Sequence, residues 1–276
     1  MSGVGVRPAD LGELSDAFGL AKAEAVLLVG SRIDGTDYAG SDLDLLGIYS
    51  DGGLPQTVTH PGAVRITTSV GDNWIGTRAA EEINVETVHV DTVSRLAGLL
   101  ACPLDRSRSV ALQPYEARLL YRLRTGRVLT GVPYMAALRA RLRLDRLPPA
   151  CFVTNYAIAA SNLGHAEIRL RQGDVAGFAP VMAAVGHALA AAGGALYDVV
   201  IPAMKKDGPV LRKLAAEHPD LPVTLDDVVS TIAGTDNEER VTHARTALRR
   251  LRHAVTVRAE TDRGWRDVAR ALTNEP

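Results

Sequence analysis

The two aspartates of Ser41-Asp42-Leu43-Asp44-Leu45 stand two apart, at the start of an apolar stretch from Leu43 to Tyr49. In a strand, residues two apart point to one face, so these carboxylates converge while Leu43 and Leu45 turn into a sheet. Side by side they repel each other unless a positive charge lies between them. Mg²⁺ answers that need, because it is a hard cation that takes oxygen ligands and bridges to substrate phosphates. Ahead of this segment, Gly30-Ser31 closes the apolar run Ala25-Val26-Leu27-Leu28-Val29. The run reads as a buried strand ending in a turn. Gly30 lets the backbone turn sharply and approach a ligand, and Ser31 offers a hydroxyl to a phosphate oxygen.

Gly30-Ser31-Arg32-Ile33-Asp34-Gly35 followed by Ser41-Asp42-Leu43-Asp44 resembles the signature of the DNA polymerase β-type nucleotidyltransferase superfamily. The nearest branch is that of the minimal and aminoglycoside nucleotidyltransferases. The match is close from Val26 to Tyr49 and looser to about Leu100. Asp34 departs from the pattern, standing where relatives commonly carry a basic residue. The resemblance implies that Asp42 and Asp44 are catalytic metal ligands, and that Gly30, Ser31, Arg32 and Ser41 hold a nucleotide. A two-metal site needs a further oxygen ligand. The strand Ile83-Asn84-Val85-Glu86-Thr87-Val88-His89-Val90 is the candidate to supply it, with Glu86 the only acid inside it. Glu86 is therefore expected as the third catalytic and metal-binding carboxylate, with Asp91 next in line. The competing reading is a solvent-facing glutamate on a half-exposed strand. His89, on the other face, is read as packed or exposed rather than catalytic.

Composition fits an enzyme of this kind. The chain has 276 residues, 46% of them hydrophobic, enough for one large domain or two ordinary ones. A formal net charge of −1 lacks the basic surplus of a general nucleic-acid binder, so nucleic acid is not expected as a partner. The sequence reads as having neither a long uncharged apolar span nor a basic-then-apolar leader, so the expectation is a cytoplasmic protein with no membrane partner. Cys102 and Cys151 are too few for a zinc site or a disulfide framework and are expected as buried free thiols.

The pattern changes near Pro148-Pro149. The expected fold class is α/β (α+β): a mixed-sheet nucleotidyltransferase catalytic domain over 1–147, then a helical-bundle, acceptor-binding domain over 148–276. In the first part, helices are predicted over Ala9–Phe18, Thr92–Ala101, Gln113–Arg124 and Tyr134–Leu147, with a further strand over Ala63–Val70. In the second, Phe152, Tyr156, Ala159, Leu163, Ala166 and Leu170 form one helical stripe. Phe178, Val181, Met182, Val185 and Leu189 form another, stopped by Gly193-Gly194. Thr235-Asp236-Asn237-Glu238 reads as a capping box opening a third helix. The alanine-rich patch from Ala183 to Ala195 is explained by close helix packing.

The expected reaction moves a nucleoside monophosphate from a nucleoside triphosphate such as ATP to a hydroxyl of a small-molecule acceptor, releasing pyrophosphate. Two Mg²⁺ ions are expected, Mn²⁺ being the alternative metal. Positive charge for the triphosphate is sought from Arg32 and from Lys205-Lys206 after Ile201-Pro202. Arg249, Arg250 and Arg252 read as a solvent-facing surface of a long helix. The alternative is a nucleotidyltransferase acting on a protein or RNA, as toxin–antitoxin relatives do. Arg212 and His218 have the spacing of their helical ribonuclease partners, but Pro219 follows the histidine directly. A catalytically dead binding protein is a third option, disfavoured by the intact aspartate pair.

Overall fold

A computed structural model of the chain describes residues 8–35, 41–50, 52–78, 81–101, 112–201 and 204–273. It falls into two compact units: one built from residues 1–99 and 118–144, the other from 100–117 and 145–276. A single cut at 147/148 therefore misses the 100–117 segment, which belongs with the second unit although it lies far upstream.

The first unit is organised by a six-stranded mixed sheet in the order β3-β4-β5-β2-β1-β6. Its strands are β1 (Ala25–Val29), β2 (Leu43–Tyr49), β3 (Val64–Thr67), β4 (Asp72–Arg78), β5 (Glu81–His89) and β6 (Arg127–Thr130). β2 and β5 run parallel, and every other neighbouring pair is antiparallel. β1 lies between β2 and β6 and is buried along its whole length, which is why it reads as an uninterrupted apolar run. One face of the sheet packs Val26, Leu28, Leu43, Leu45, Ile83 and Val85 against Leu14 and Phe18 of helix α1 (Pro8–Phe18). Leu11, Leu14 and Phe18 recur at helical spacing, so α1 lays a single apolar stripe on that face. The helices α2 (Ser31–Asp34), α3 (Val90–Ala101), α4 (Pro114–Thr125) and α5 (Val132–Arg141) complete the alternation, the end of α3 and the first turn of α4 counting with the second unit. Helix α5 stops at Arg141, and a 3-10 turn at Leu144–Arg146 breaks the single connecting helix expected over 134–147.

The second unit is helical: α6 (Leu147–Arg171), α7 (Val175–Ala195), α8 (Asp207–Glu217), α9 (Leu225–Ala233), α10 (Asn237–Thr261) and α11 (Arg266–Thr273). Pro148 and Pro149 lie in the first turn of α6, a few residues past the boundary between the units at 144/145. Proline is suited there because the N–H groups have no intrahelical partner. The α6 stripe is buried at Phe152, Tyr156, Ala159, Leu163 and Ala166, with Phe152 edge-on to Trp265 at 5.5 Å between ring centroids. Helix α7 packs against α6, α8, α9 and α10. It runs through Gly193-Gly194 rather than stopping there: a Cβ on Gly193 would lie 3.2 Å from Val223, and one on Gly194 3.1 Å from Ile201. The glycines serve close packing, as the alanine-rich patch around them does.

Helix α7 also corrects the sequence reading of apolar spans. Its 21 residues are long and apolar enough by composition to cross a membrane. Phe178, Met182, Val185 and residues 188–195 are all buried, as befits the central helix of this unit. The reciprocal capping box lies on α9, between Thr224 and Asp227, while α10 is capped by Asp236 and not by Thr235. Arg240 is 7% exposed because it donates to the carbonyls of Thr231 and Ile232 at the end of α9, with its guanidinium over the Phe178 ring.

Candidate nucleotide and metal site

Gly30 ends β1 in the left-handed region at φ 82°. A Cβ at this position would lie 2.1 Å from Asp44 Oδ2 and 2.8 Å from its Cγ. Glycine is therefore required twice over, for the turn and to let the backbone lie against the carboxylate. Ser31 follows as the first residue of α2, 8% exposed, and the one-turn helix closes at Gly35. Asp44 stands opposite Val29 in the antiparallel β1–β2 pair, so the strand register fixes the carboxylate beside the Gly-Ser turn.

Strand alternation puts Asp42 and Asp44 on one face. Asn84, in register with Asp44 on the parallel strand β5, donates through Nδ2 to Asp42 Oδ2 at 3.2 Å. The same amide donates to Glu82 Oε1 at 3.2 Å. Glu82, Asn84 and Glu86 thus form one row along β5, beside Asp44 and Leu46 on β2 and Asp42 just ahead of it. Strand β5 begins at Glu81, two residues earlier than the sequence suggests, so Glu86 is not the only acid inside it. Glu82 is the acid that reasoning from residues 83–90 missed. Extending the alternation two residues upstream would have exposed it.

Glu86 lies deeper, in register with Leu46, and is 2% exposed rather than facing solvent. Arg122 of α4 holds it by a short hydrogen bond from Nη1, while Nη2 donates to Asp44 Oδ1 at 3.2 Å. Arg118, one helical turn earlier, brings Nη2 to 3.9 Å from the same Glu86 oxygen. Burial pushes the Arg122 guanidinium towards losing its proton, but the charges of Glu86 and Asp44 outweigh that and hold its pKa above the ordinary value. Arg122 has no counterpart in the sequence reading, since a lone arginine in a helix carries no motif. Tyr121 beside it hydrogen-bonds Asp34, and burial first and Asp34 second push its hydroxyl above the usual tyrosine range. Asp34, the departure from the superfamily pattern, thus has a local partner within the unit.

The other expected residues are dispersed. Arg32 donates to the Ser41 carbonyl at 2.5 Å and pairs with Glu81, tying α2 to the entry of β2 and the start of β5. Ser41 is buried, at 6% exposure. Asp91 is exposed and paired with His89 at the far end of β5. Lys206 sits in a 3-10 turn of the second unit, and the side chain of Lys205 lies outside the described residues, as do Pro202 and Cys102. His218 falls just beyond α8 in extended conformation and packs on the Tyr197 ring, so it shares no helical face with Arg212.

Among the described residues, no three His, Cys, Asp or Glu side chains are grouped to hold a metal ion by themselves. The donor set still fits Mg²⁺, which is commonly held by one or two carboxylates, with substrate phosphates and water filling the remaining positions. Asp42 and Asp44 offer those carboxylate oxygens on one face, next to a Gly-Ser turn.

No protein-family model matches the sequence, and no curated protein matches it. A solved nucleotidyltransferase-like protein from Exiguobacterium sibiricum 255-15 is similar over 90% of this chain and 73% of that one, at 15% identity and a TM-score of 0.43. A likeness that distant adds no weight to the residues above, which stand on their own geometry.

Proposed function

We propose that the protein is a metal-dependent nucleotidyltransferase that moves a nucleoside monophosphate from a nucleoside triphosphate to a hydroxyl of a small-molecule acceptor. The observation that carries this reading is the backbone of Gly30 lying against the Asp44 carboxylate, with Asp42 on the same face. That arrangement sets a tight Gly-Ser turn beside two hard oxygen donors. Asp42 and Asp44 would hold Mg²⁺, or Mn²⁺ in its place. When bound, the metal supplies charge neutralisation at the leaving pyrophosphate and lowers the pKa of the attacking hydroxyl.

The chain's own groups do the positioning. Ser31 and the backbone around it would meet the phosphates. Asn84 holds Asp42 in its rotamer, and Arg122 does the same for Asp44. Glu86, the expected third ligand, is engaged by Arg122; we therefore read it as the anchor that fixes that arginine, and Glu82 as the acid beside Asp42 that can complete the site. The helical unit would take the acceptor. A net charge of −1 supports a small acceptor over RNA, and the position of His218 outside α8 gives the ribonuclease-type reading no support.

The test is a transfer assay with labelled nucleoside triphosphates and Mg²⁺ across panels of hydroxylated small molecules, proteins and RNA. Label appearing in a small molecule, with pyrophosphate released, is the expected result. Label in RNA or protein alone would overturn the acceptor class, and no metal-dependent transfer to any of them would overturn the reaction.

A further inference from the structure

The second unit encloses a cavity of about 130 Å³. One face of α6 contributes Cys151, Asn155 and Ile158, α7 contributes His187 and Ala191, and Val200 closes one side. The wall is largely apolar, yet it contains the half-buried His187, whose ring is held by a buried carboxylate outside the lining, Asp207. His187 Nδ1 lies 2.9 Å from Asp207 Oδ1 and 3.2 Å from Oδ2, and the Asp207 side chain is 9% exposed. Burial pushes the Asp207 carboxyl above its usual range, and the hydrogen bond and charge of His187 pull it back. A helix pair could pack at this point with apolar residues at lower cost, so the pair calls for a role beyond packing.

The geometry assigns the imidazole a definite face. An ionised carboxylate only accepts, so in the neutral imidazole Nδ1 carries the proton and Nε2 is left as an acceptor. Among the described residues nothing donates to Nε2. Asn155 gives its Nδ2 to the Cys151 carbonyl at 2.8 Å, which leaves its Oδ1 as a second acceptor on the same wall. Two acceptors on an apolar surface suit a ligand with an apolar body and a hydrogen-bond donor. A dry cavity of roughly 150 Å³ holds a benzene ring; this one, slightly smaller and partly open, is near the size of a single six-membered aromatic ring.

We infer that this cavity is a binding site for a small phenol, its ring against Ile158, Ala191 and Val200 and its hydroxyl donating to His187 Nε2. The site belongs wholly to the second unit and does not depend on the nucleotide chemistry of the first.

Titration of the full-length protein with phenol and with toluene, its isostere without the donor, tests the assignment by calorimetry and by ¹⁵N-histidine NMR. Phenol should bind saturably and shift the His187 Nε2 resonance, and it should bind at least about tenfold more tightly than toluene, the worth of one hydrogen bond to a desolvated acceptor. The double variant His187→Leu/Asp207→Leu removes both members of the pair, so no buried charge is left alone to unfold the protein. It should lose the phenol preference while keeping toluene binding. Equal affinities for phenol and toluene in the wild type would overturn the inference. So would phenol binding that leaves the His187 resonance unmoved, or the absence of saturable phenol binding.

Discussion

Asp44 is held from two sides, by the Gly30 backbone and by Arg122, whereas Asp42 is held by a single amide from Asn84. Both are exposed enough to meet a ligand, and neither supports the apolar core on the opposite face of the sheet. Asp42→Ala and Asp44→Ala should therefore each abolish nucleotidyl transfer. Asp42→Ala should leave the circular dichroism spectrum and thermal midpoint near wild type, while Asp44→Ala, which takes one carboxylate from Arg122, should keep the spectrum but lower the midpoint. Near-normal turnover at saturating Mg²⁺ in either variant would remove the basis for the proposed reaction. The two glutamates of β5 should part company. Glu82 is exposed beside Asp42, so Glu82→Gln should lower turnover by on the order of a hundredfold, as for other groups acting at a reacting centre, with little change in stability. Glu86 is the buried partner of Arg122. Glu86→Gln leaves that guanidinium partly uncompensated and should cost on the order of 3 kcal/mol of folding stability, read from urea unfolding. A stable Glu86→Gln protein with intact nucleotide binding and lost turnover would restore Glu86 as the third ligand.

The turn between β1 and α2 is the element that makes the site, and its sequence was the most legible part of the chain. Strands β1 and β2 fall at the residues where apolar runs and turn signals put them, because a buried central strand has no competing pattern. The mixed sheet followed by helices was legible for the same reason. Strand β4, whose Asp72-Asn73-Trp74-Ile75-Gly76-Thr77-Arg78 alternates weakly, and the four-residue β6 were not, since pairing with neighbours rather than local pattern defines them. The early start of β5 hid Glu82, because two adjacent glutamates look like a loop until the register with β2 is known. Arg122 was invisible because its meaning is entirely tertiary. Helix α7 was read as a helix, but its membrane-length apolar span was not, because alanine and glycine dominate it in place of bulky residues. At this scale the decisive variant is Gly30→Ala. It adds a Cβ 2.1 Å from Asp44 Oδ2 in a left-handed conformation. A side chain held at φ 82° and ψ −158° should cost on the order of 1–3 kcal/mol. Displacement of Asp44 should reduce turnover far more than that loss of stability accounts for. Parallel thermal melts and rate measurements would separate the two, and an active Gly30→Ala enzyme would show that Asp44 need not sit against the turn.

For the molecule as a whole, each unit has its own core, and the ionisable groups that respond to acid are spread over both. Asp227 shows how the sign works. Burial raises its pKa, but hydrogen bonds from the Thr224 N–H and hydroxyl and the ion pair with Arg250 outweigh burial and hold it below the ordinary carboxylate value. A carboxylate depressed by folding contributes stability above its unfolded pKa of about 3.9, and loses it as the pH falls through the lower folded value. Asp72, held down first by its hydrogen bond from Arg65, acts in the same direction from the sheet. Asp207 acts in the opposite direction. Its folded pKa is raised, so its favourable contribution is present below the unfolded value and fades as the pH rises through the folded one. Asp227→Asn keeps one oxygen acceptor for the Thr224 N–H but removes the charge that Arg250 and the first turn of α9 favour. Because the group is only partly buried, solvent screening limits the expected loss to about 1 kcal/mol at neutral pH. The diagnostic feature is its pH profile. The stability gap between wild type and Asp227→Asn, measured by urea unfolding, should be full near neutrality and should close as the pH falls below that of an ordinary aspartate. A gap that stays constant into acid would mean that Asp227 acts through shape and neutral hydrogen bonds alone, leaving Asp72 and its neighbours to account for acid lability.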